Sequence, residues 1–300
     1  MKNILFRADS SSTIGTGHIM RDLVLAEQFS DDNIIFATQE LPCNINYKIE
    51  EKKYTIETLR SNDLNELDAL IKQLKINMIV IDHYGINYDF EKQLKEKNPA
   101  LSIMSLDDTY ERHYCDVLLN HNMSADPKKY TDLVPKNCEL RCGSRYTLLR
   151  EEFRVEKLKE KMSQHHDTVI FIAMGGADTA GINIEVLNVL ESFDNIRVNL
   201  VTTTANRRLQ ELQNYTESKG WIELHVNSNK IAKLMQESNL AIVTPSVTVN
   251  EVHFMELPFI AIKTADNQQD IYQYLRDNGY MVLEQFDTST LKDLVCKILL

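Results

Sequence analysis

Little in this 300-residue chain points to disulfides, membranes or nucleic acid. Its five cysteines (Cys43, Cys115, Cys138, Cys142, Cys296) are odd in number and include no C-x-x-C pair, which argues against a disulfide framework and against a structural zinc site. The longest apolar runs, 78–81 and 169–174, fall far short of the roughly 20 residues that span a bilayer, and no charged-then-apolar leader precedes Ile4. A cytoplasmic protein is the expectation. Basic clusters are missing as well: 33 Lys and Arg face 44 Asp and Glu, and the net charge of -11 disfavours nucleic acid and anionic membrane as partners. Any phosphate ligand must therefore be held by local groups.

Against these absences stands an ordinary globular composition, 43% hydrophobic and 26% charged, in a chain long enough for two domains. Short β-rich runs at 4–8, 33–38, 54–58, 78–82, 102–106 and 117–119 alternate with segments of helical period. A second series restarts at 169–174 and continues at 196–202, 222–226, 240–243, 259–263 and 280–283. Such alternation predicts an α/β fold of parallel sheets covered by helices. The polar stretch between the two series reads as a linker helix. The expected organisation is two Rossmann-like doubly wound domains, 1–150 and 168–300, joined by 151–167 and facing across a cleft. Ligands of such sheets sit beyond the carboxyl ends of the strands, so functional residues should directly follow strands.

Several motifs do. Gly15-Thr16-Gly17-His18 lies between the first strand and an amphipathic stretch, where backbone N–H groups and the helix dipole favour an anion. The same field disfavours imidazolium, so His18 is expected to be a neutral general base. Arg21 and Asp22 stand where a dinucleotide fingerprint needs later glycine, which disfavours such a cofactor. Asp9-Ser10-Ser11-Ser12 is a candidate for orienting His18 or substrate. Asp82-His83-Tyr84-Gly85 and Asp107-Asp108 follow the next strands. The first reads equally as a turn, and the second as a metal site, an acid and base pair, or a cap.

In the second half, Gly175-Gly176 lets backbone N–H groups approach a phosphate closely. Ser246 and Thr248 open a helix suited to the same group. Glu251, one turn further, is placed to accept ribose hydroxyls, or to cap. The amide-rich loop at 266–270 suits sugar hydroxyl or acetamido groups.

Together these residues resemble the UDP-sugar hydrolases of pseudaminic acid biosynthesis, relatives of the muramyl-pathway N-acetylglucosaminyltransferase. The matching segments run from Phe6-Arg7-Ala8-Asp9 and Ile14-Gly15-Thr16-Gly17-His18 through Ile81-Asp82-His83-Tyr84-Gly85, Leu106-Asp107-Asp108, Cys115 to Asn120 and Arg141-Cys142-Gly143. Leu149 to Phe153, Met174-Gly175-Gly176 and Asn250-Glu251 complete them. The resemblance implies a B-type glycosyltransferase fold that cleaves UDP from 2,4-diacetamido-2,4,6-trideoxy-L-altrose without a metal or other cofactor, the only partner being a small-molecule UDP-sugar met by a monomer. It implies His18 as base and Tyr84 touching sugar or water, with Gly15, Gly17, Asp82 and Asn250 also at the substrate. It assigns Gly175, Gly176, Ser246 and Thr248 to the diphosphate, Glu251 to the ribose, the backbone near Ile231 to the uracil, and Gln268 or Gln269 to the sugar. The segment after Glu284 has no counterpart and is expected to form a helix packed on the first domain. A UDP-sugar transferase, a hydrolysing epimerase and a non-catalytic nucleotide-sugar binder remain alternatives.

Overall fold

Runs of β-branched and other apolar residues form the strands of two separate all-parallel sheets in a computed structural model describing residues 1–11, 13–159 and 167–299. The chain divides into two compact units, Met1–Leu149 and Arg150–Leu300.

The first unit runs β1 (Asn3–Ala8), α1 (Gly17–Ala26), β2 (Asn33–Gln39), α2 (Tyr47–Glu51), β3 (Thr55–Leu59), α3 (Leu64–Gln73), β4 (Met78–Asp82), α4 (Tyr88–Lys97), β5 (Ser102–Leu106), β6 (Val117–Asn120) and β7 (Glu139–Cys142). Its sheet order is β3-β2-β1-β4-β5-β6-β7, so the direction of winding reverses between β1 and β4. Both faces of the sheet are covered. Ile4, Phe6 and Ala8 pack with Ile19 and Leu23 of α1, while Leu5 between them packs with Leu67 and Ile71 of α3 and Leu94 of α4. Period-two alternation thus serves two apolar layers, which is why the strands read as continuous apolar runs. Phe6 and Phe36 are register partners, and their rings stack at 5.0 Å.

The second unit runs α5 (Glu151–Lys157), β8 (Thr168–Ala173), α6 (Asn183–Leu190), β9 (Ile196–Thr202), α7 (Leu209–Glu217), β10 (Ile222–Val226), α8 (Ile231–Gln236), β11 (Leu240–Val243), α9 (Val247–Phe254), β12 (Phe259–Ile262), α10 (Gln269–Asp277), β13 (Met281–Leu283) and α11 (Thr288–Leu299). The order β10-β9-β8-β11-β12-β13 repeats the same reversal, here between β8 and β11.

Three features differ from the sequence reading or extend it. Strand β7 is additional; it is an edge strand whose residues are half-buried or exposed, so it lacks the apolar run that marks its neighbours. Helix α5, within the stretch read as a linker, is tied to the second unit: Lys157 Nζ donates to the Phe254 carbonyl at 2.6 Å and pairs with Glu256 at 2.8 Å. The end of that stretch, Gln164-His165-His166, lies outside the described residues, as does Ser12. The terminal helix α11, expected on the first unit, packs into the core of its own unit. Leu291 and Val295 enter the core of its own unit beside Val186 and Leu283, because the apolar face of α11 matches the end of the second sheet.

Removing the stacked ring by Phe36→Ala is expected to cost about 3–5 kcal/mol of stability. Urea denaturation checks this as a lower midpoint with unchanged slope.

Candidate active site

Helix α1 begins at Gly17 without a side-chain cap, and its first partnered N–H is that of Met20, on the Thr16 carbonyl. Among the described residues the N–H groups of Gly17, His18 and Ile19 have no partner and form the open positive end of the helix. Gly15 contributes differently from the expectation. Its N–H is taken by the Ser11 carbonyl at 2.8 Å, and its φ of +86° supplies the turn that turns the chain into the helix.

His18, Arg21 and Asp22 occupy one face of α1 because positions three and four apart lie above one another. His18 and Asp22 are buried, whereas the Arg21 head reaches the ends of β4 and β5. His18 Nδ1 lies 2.7 Å from Asp82 Oδ1. Burial opposes ionisation of Asp82, but the charge and hydrogen bonds of Arg21, with that of His18, outweigh it and hold the carboxyl well below the usual range. An ionised carboxylate only accepts, so Nδ1 carries the proton and Nε2 is the free, electron-pair-bearing nitrogen. Among the described residues no group hydrogen-bonds to Nε2.

Asp82 therefore requires a correction. Its side chain is 1% exposed; Oδ1 meets His18 and Arg21 Nη2, and Oδ2 meets Arg21 Nε at 2.5 Å. With both oxygens engaged inside the protein it orients the imidazole rather than the substrate. The acid beside His18 is thus Asp82 and not Asp9. Asp9 is held by Arg7 through two bonds of 2.8 and 2.7 Å, by the Gln39 N–H and by His83 Nε2. His83 Nδ1 in turn accepts the Gly85 N–H at 2.9 Å, so this ring fastens the turn that carries Asp82 and Tyr84.

Arg21 continues the network by donating to Asp108 Oδ2 at 2.9 Å, and Asp108 Oδ1 accepts the Tyr84 hydroxyl at 2.9 Å. The Tyr84 ring is largely exposed and stands edge-on to His18 at 4.8 Å between centroids. Its hydroxyl end is turned inward, where burial and the Asp108 charge push the phenol up to about 12, so it is a donor at neutral pH. Asp107, the neighbour of Asp108, does something else. It accepts the N–H groups of Thr109 and Tyr110 and the Tyr130 hydroxyl, which makes it a turn cap.

Two further polar side chains lie under this network. Neither carboxyl oxygen of Asp22 and neither ring nitrogen of His121, which follows β6, has a hydrogen-bond partner among the described residues. Burial, reinforced by the Asp82 charge, pushes Asp22 far above its usual range. Burial and the Arg21 charge push His121 down to about 4. His121 is therefore uncharged at neutral pH, and burial without a partner favours the neutral form of Asp22.

In the second unit, Gly175 and Gly176 are exposed just beyond β8. The Gly176 carbonyl accepts from the hydroxyls of Thr202 and Thr203 and from the Thr203 N–H, and a Cβ at Gly176 would stand 2.8 Å from Thr203 Cγ2. Glycine is needed for that close approach. Helix α9 opens at Ser246 without a side-chain cap, and its first partnered N–H is that of Val249, which leaves those of Val247 and Thr248 as donors beside both hydroxyls. Glu251 Oε1 lies 3.3 Å from Arg150 Nη2. Burial pushes its carboxyl up to about 7 against the pull of that guanidinium. Ile231 is the first residue of α8 and half-buried.

Two assignments move inward. Asn250 is 4% exposed, so it is an interior residue of α9. Gln268 folds back on its own strand end, its Oε1 accepting the Thr264 N–H at 2.8 Å, and Gln269 is bound to Lys263. Gln268 is half-buried in this way, whereas Gln269 is exposed. The sequence reading missed Arg21 and His83, whose partners lie 61 and 74 residues away. Only the helical spacing of Arg21 from His18 gave a signal for either.

Comparison with known proteins accords with these features. No family model matches the chain. It is 40% identical over 279 residues, 93% of its length and 98% of the relative's, to the UDP-2,4-diacetamido-2,4,6-trideoxy-beta-L-altropyranose hydrolase of Campylobacter jejuni. Among solved structures it is similar to MurG of Acinetobacter baumannii (TM-score 0.68, 14% identity, 100% of this chain and 91% of that one). It is likewise similar to UGT89C1 of Arabidopsis thaliana, complexed with UDP (TM-score 0.69, 11% identity, 100% and 91%). These likenesses give the fold, that of the B-type glycosyltransferases.

Because the folded-state pKa of Glu251 is raised, the stability it contributes is complete below its ordinary 4.5 and is lost as pH rises through about 7. Glu251→Gln is therefore expected to be more stable than the parent at pH 8, by on the order of 1–3 kcal/mol, and nearly equal to it at pH 5. Thermal melts at the two pH values check this.

Proposed function

The chain belongs to the family of the UDP-2,4-diacetamido-2,4,6-trideoxy-beta-L-altropyranose hydrolases, and we propose that it releases UDP from that sugar by attack of water at the anomeric carbon. The observation that carries the mechanism is the state of His18: Nδ1 is fixed on Asp82, and Nε2 is left free to take a proton. As the water oxygen bonds to C1, Nε2 receives the water proton and the bond from C1 to the diphosphate oxygen breaks. The products are UDP and free 2,4-diacetamido-2,4,6-trideoxy-L-altrose with inverted configuration at C1. Tyr84, edge-on to His18 with its hydroxyl on Asp108, suits a contact with that water or the sugar ring.

The groups proposed for the leaving nucleotide belong to the second unit. The loop at Gly175 and Gly176, with the N–H groups and hydroxyls at Ser246 and Thr248, suits the diphosphate, whose developing charge such donors stabilise. Glu251 suits the ribose hydroxyls, and the backbone at Ile231 the uracil edge. Gly17 and the open start of α1 suit an anionic or carbonyl oxygen of the substrate. We further place the protein in the cytoplasm as a monomer without nucleic-acid or membrane partners, serving pseudaminic acid biosynthesis and, through it, flagellin glycosylation.

The likeness in fold to transferases favours transfer as the second reading. Incubation with the UDP-sugar alone separates the two, since hydrolysis releases UDP without an acceptor and transfer does not. His18→Leu is expected to lower kcat about 10²- to 10⁴-fold while retaining UDP affinity. In the parent, kcat should fall toward acid pH with unit slope, and NMR of the first product should show the inverted anomer. Near-full turnover by His18→Leu would overturn the base assignment.

A further inference from the structure

Beside His18 a single cation offsets the charges of one side-chain cluster. Helix α1 contributes His18, Arg21 and Asp22; Asp82 comes from the end of β4, with Tyr84 just after it; Asp108 follows β5; His121 follows β6. His121 is uncharged, burial without a partner favours the neutral form of Asp22, and the Tyr84 hydroxyl donates to Asp108. Two carboxylates remain, Asp82 and Asp108, against one cation. Arg21 spans both, with two contacts of 2.5 Å on Asp82 and one of 2.9 Å on Asp108, and its Nη2 stands 3.2 Å from His18 Nδ1.

Resting on the hydrolytic reading above, we infer that Arg21 is a positioning residue that acts on His18 through Asp82 and on Tyr84 through Asp108, and that its cation keeps His18 available as a base. A carboxylate bonded to an imidazole favours the imidazolium, which has no electron pair to offer water. Left unopposed, Asp82 would do this directly, and Asp108, bonded to Arg21 and Tyr84 rather than to the ring, would add to it through its charge. A guanidinium on the same oxygens offsets most of that field, and its planar fork holds two carboxylates at fixed angles, which a lysine ammonium does not. Asp22 fits the same balance. Were it ionised, a third negative charge would face Asp82, and its burial without partners keeps the proton on.

The test is the pH profile of kcat for Arg21→Gln, Arg21→Lys, Asp108→Asn and the double variant R21Q/D108N, each first shown to be folded by thermal melting. In Arg21→Gln the acid limb should move to higher pH by at least about one unit, so that activity missing at neutral pH returns in alkali. Arg21→Lys keeps the charge and should hold the limb in place while kcat falls. R21Q/D108N, which loses one charge of each sign, should bring the limb back toward the parent position. Should Arg21→Gln not fold, the same shift is read between Asp108→Asn and R21Q/D108N. An unmoved limb on loss of the Arg21 charge would overturn the inference. Acceptor-free UDP release by the parent separates the two levels: if it is absent, the hydrolytic reading fails; if it is present and the limb does not move, only the role of Arg21 fails.

Discussion

The bond between Asp82 and His18 is the constraint on which the site is built. An imidazole has two nitrogens and one proton to place between them, and a fixed carboxylate decides the matter. That carboxylate lies at the very end of a central strand, at the point where the winding of the first sheet reverses, so its position is set by the packing of β4 between β1 and β5. The helix that carries His18 is set by the same sheet, through Ile19 and Leu23 against Ile4 and Phe6. The histidine and its carboxylate are thus located by the core rather than by a loop, which gives the arrangement the stiffness that the proposed proton transfer needs.

Around this pair the molecule separates two electrostatic tasks. In the first unit, charges are brought together and balanced: Arg7 with Asp9, Arg21 with Asp82 and Asp108. In the second, the groups suited to a nucleotide are mostly neutral donors, backbone N–H and hydroxyl, with Glu251 as the exception. A chain of net charge -11 can hold a diphosphate this way, because donors at helix starts are local and a distant surface charge is screened within about 10 Å at 0.1 M salt.

Much of this was legible from sequence because it is local. A strand, a glycine turn and a helix leave their mark within a dozen residues, so Gly15 to His18, Gly175-Gly176 and the Ser246 helix start were all found where strands end. Strand β7 was not, since Glu139-Leu140-Arg141-Cys142 at a sheet edge buries too little to require an apolar run. The role of Asp82 was misjudged for a different reason: its partner is 64 residues away, and nothing in Asp82-His83-Tyr84-Gly85 tells which side chain points inward. Composition did not reveal the bond of Gln268 to its own strand end, because an amide-rich loop can satisfy its own backbone as readily as a sugar. Arg21 was read only as a residue that is not glycine, although its helical spacing from His18 already placed it on the right face.

The ion pair of Arg7 and Asp9 at the centre of the first sheet has a consequence for descent. Both side chains are fully hidden from solvent, so losing one would strand the other's charge in the interior. Evolution can remove them only together or through a costly intermediate.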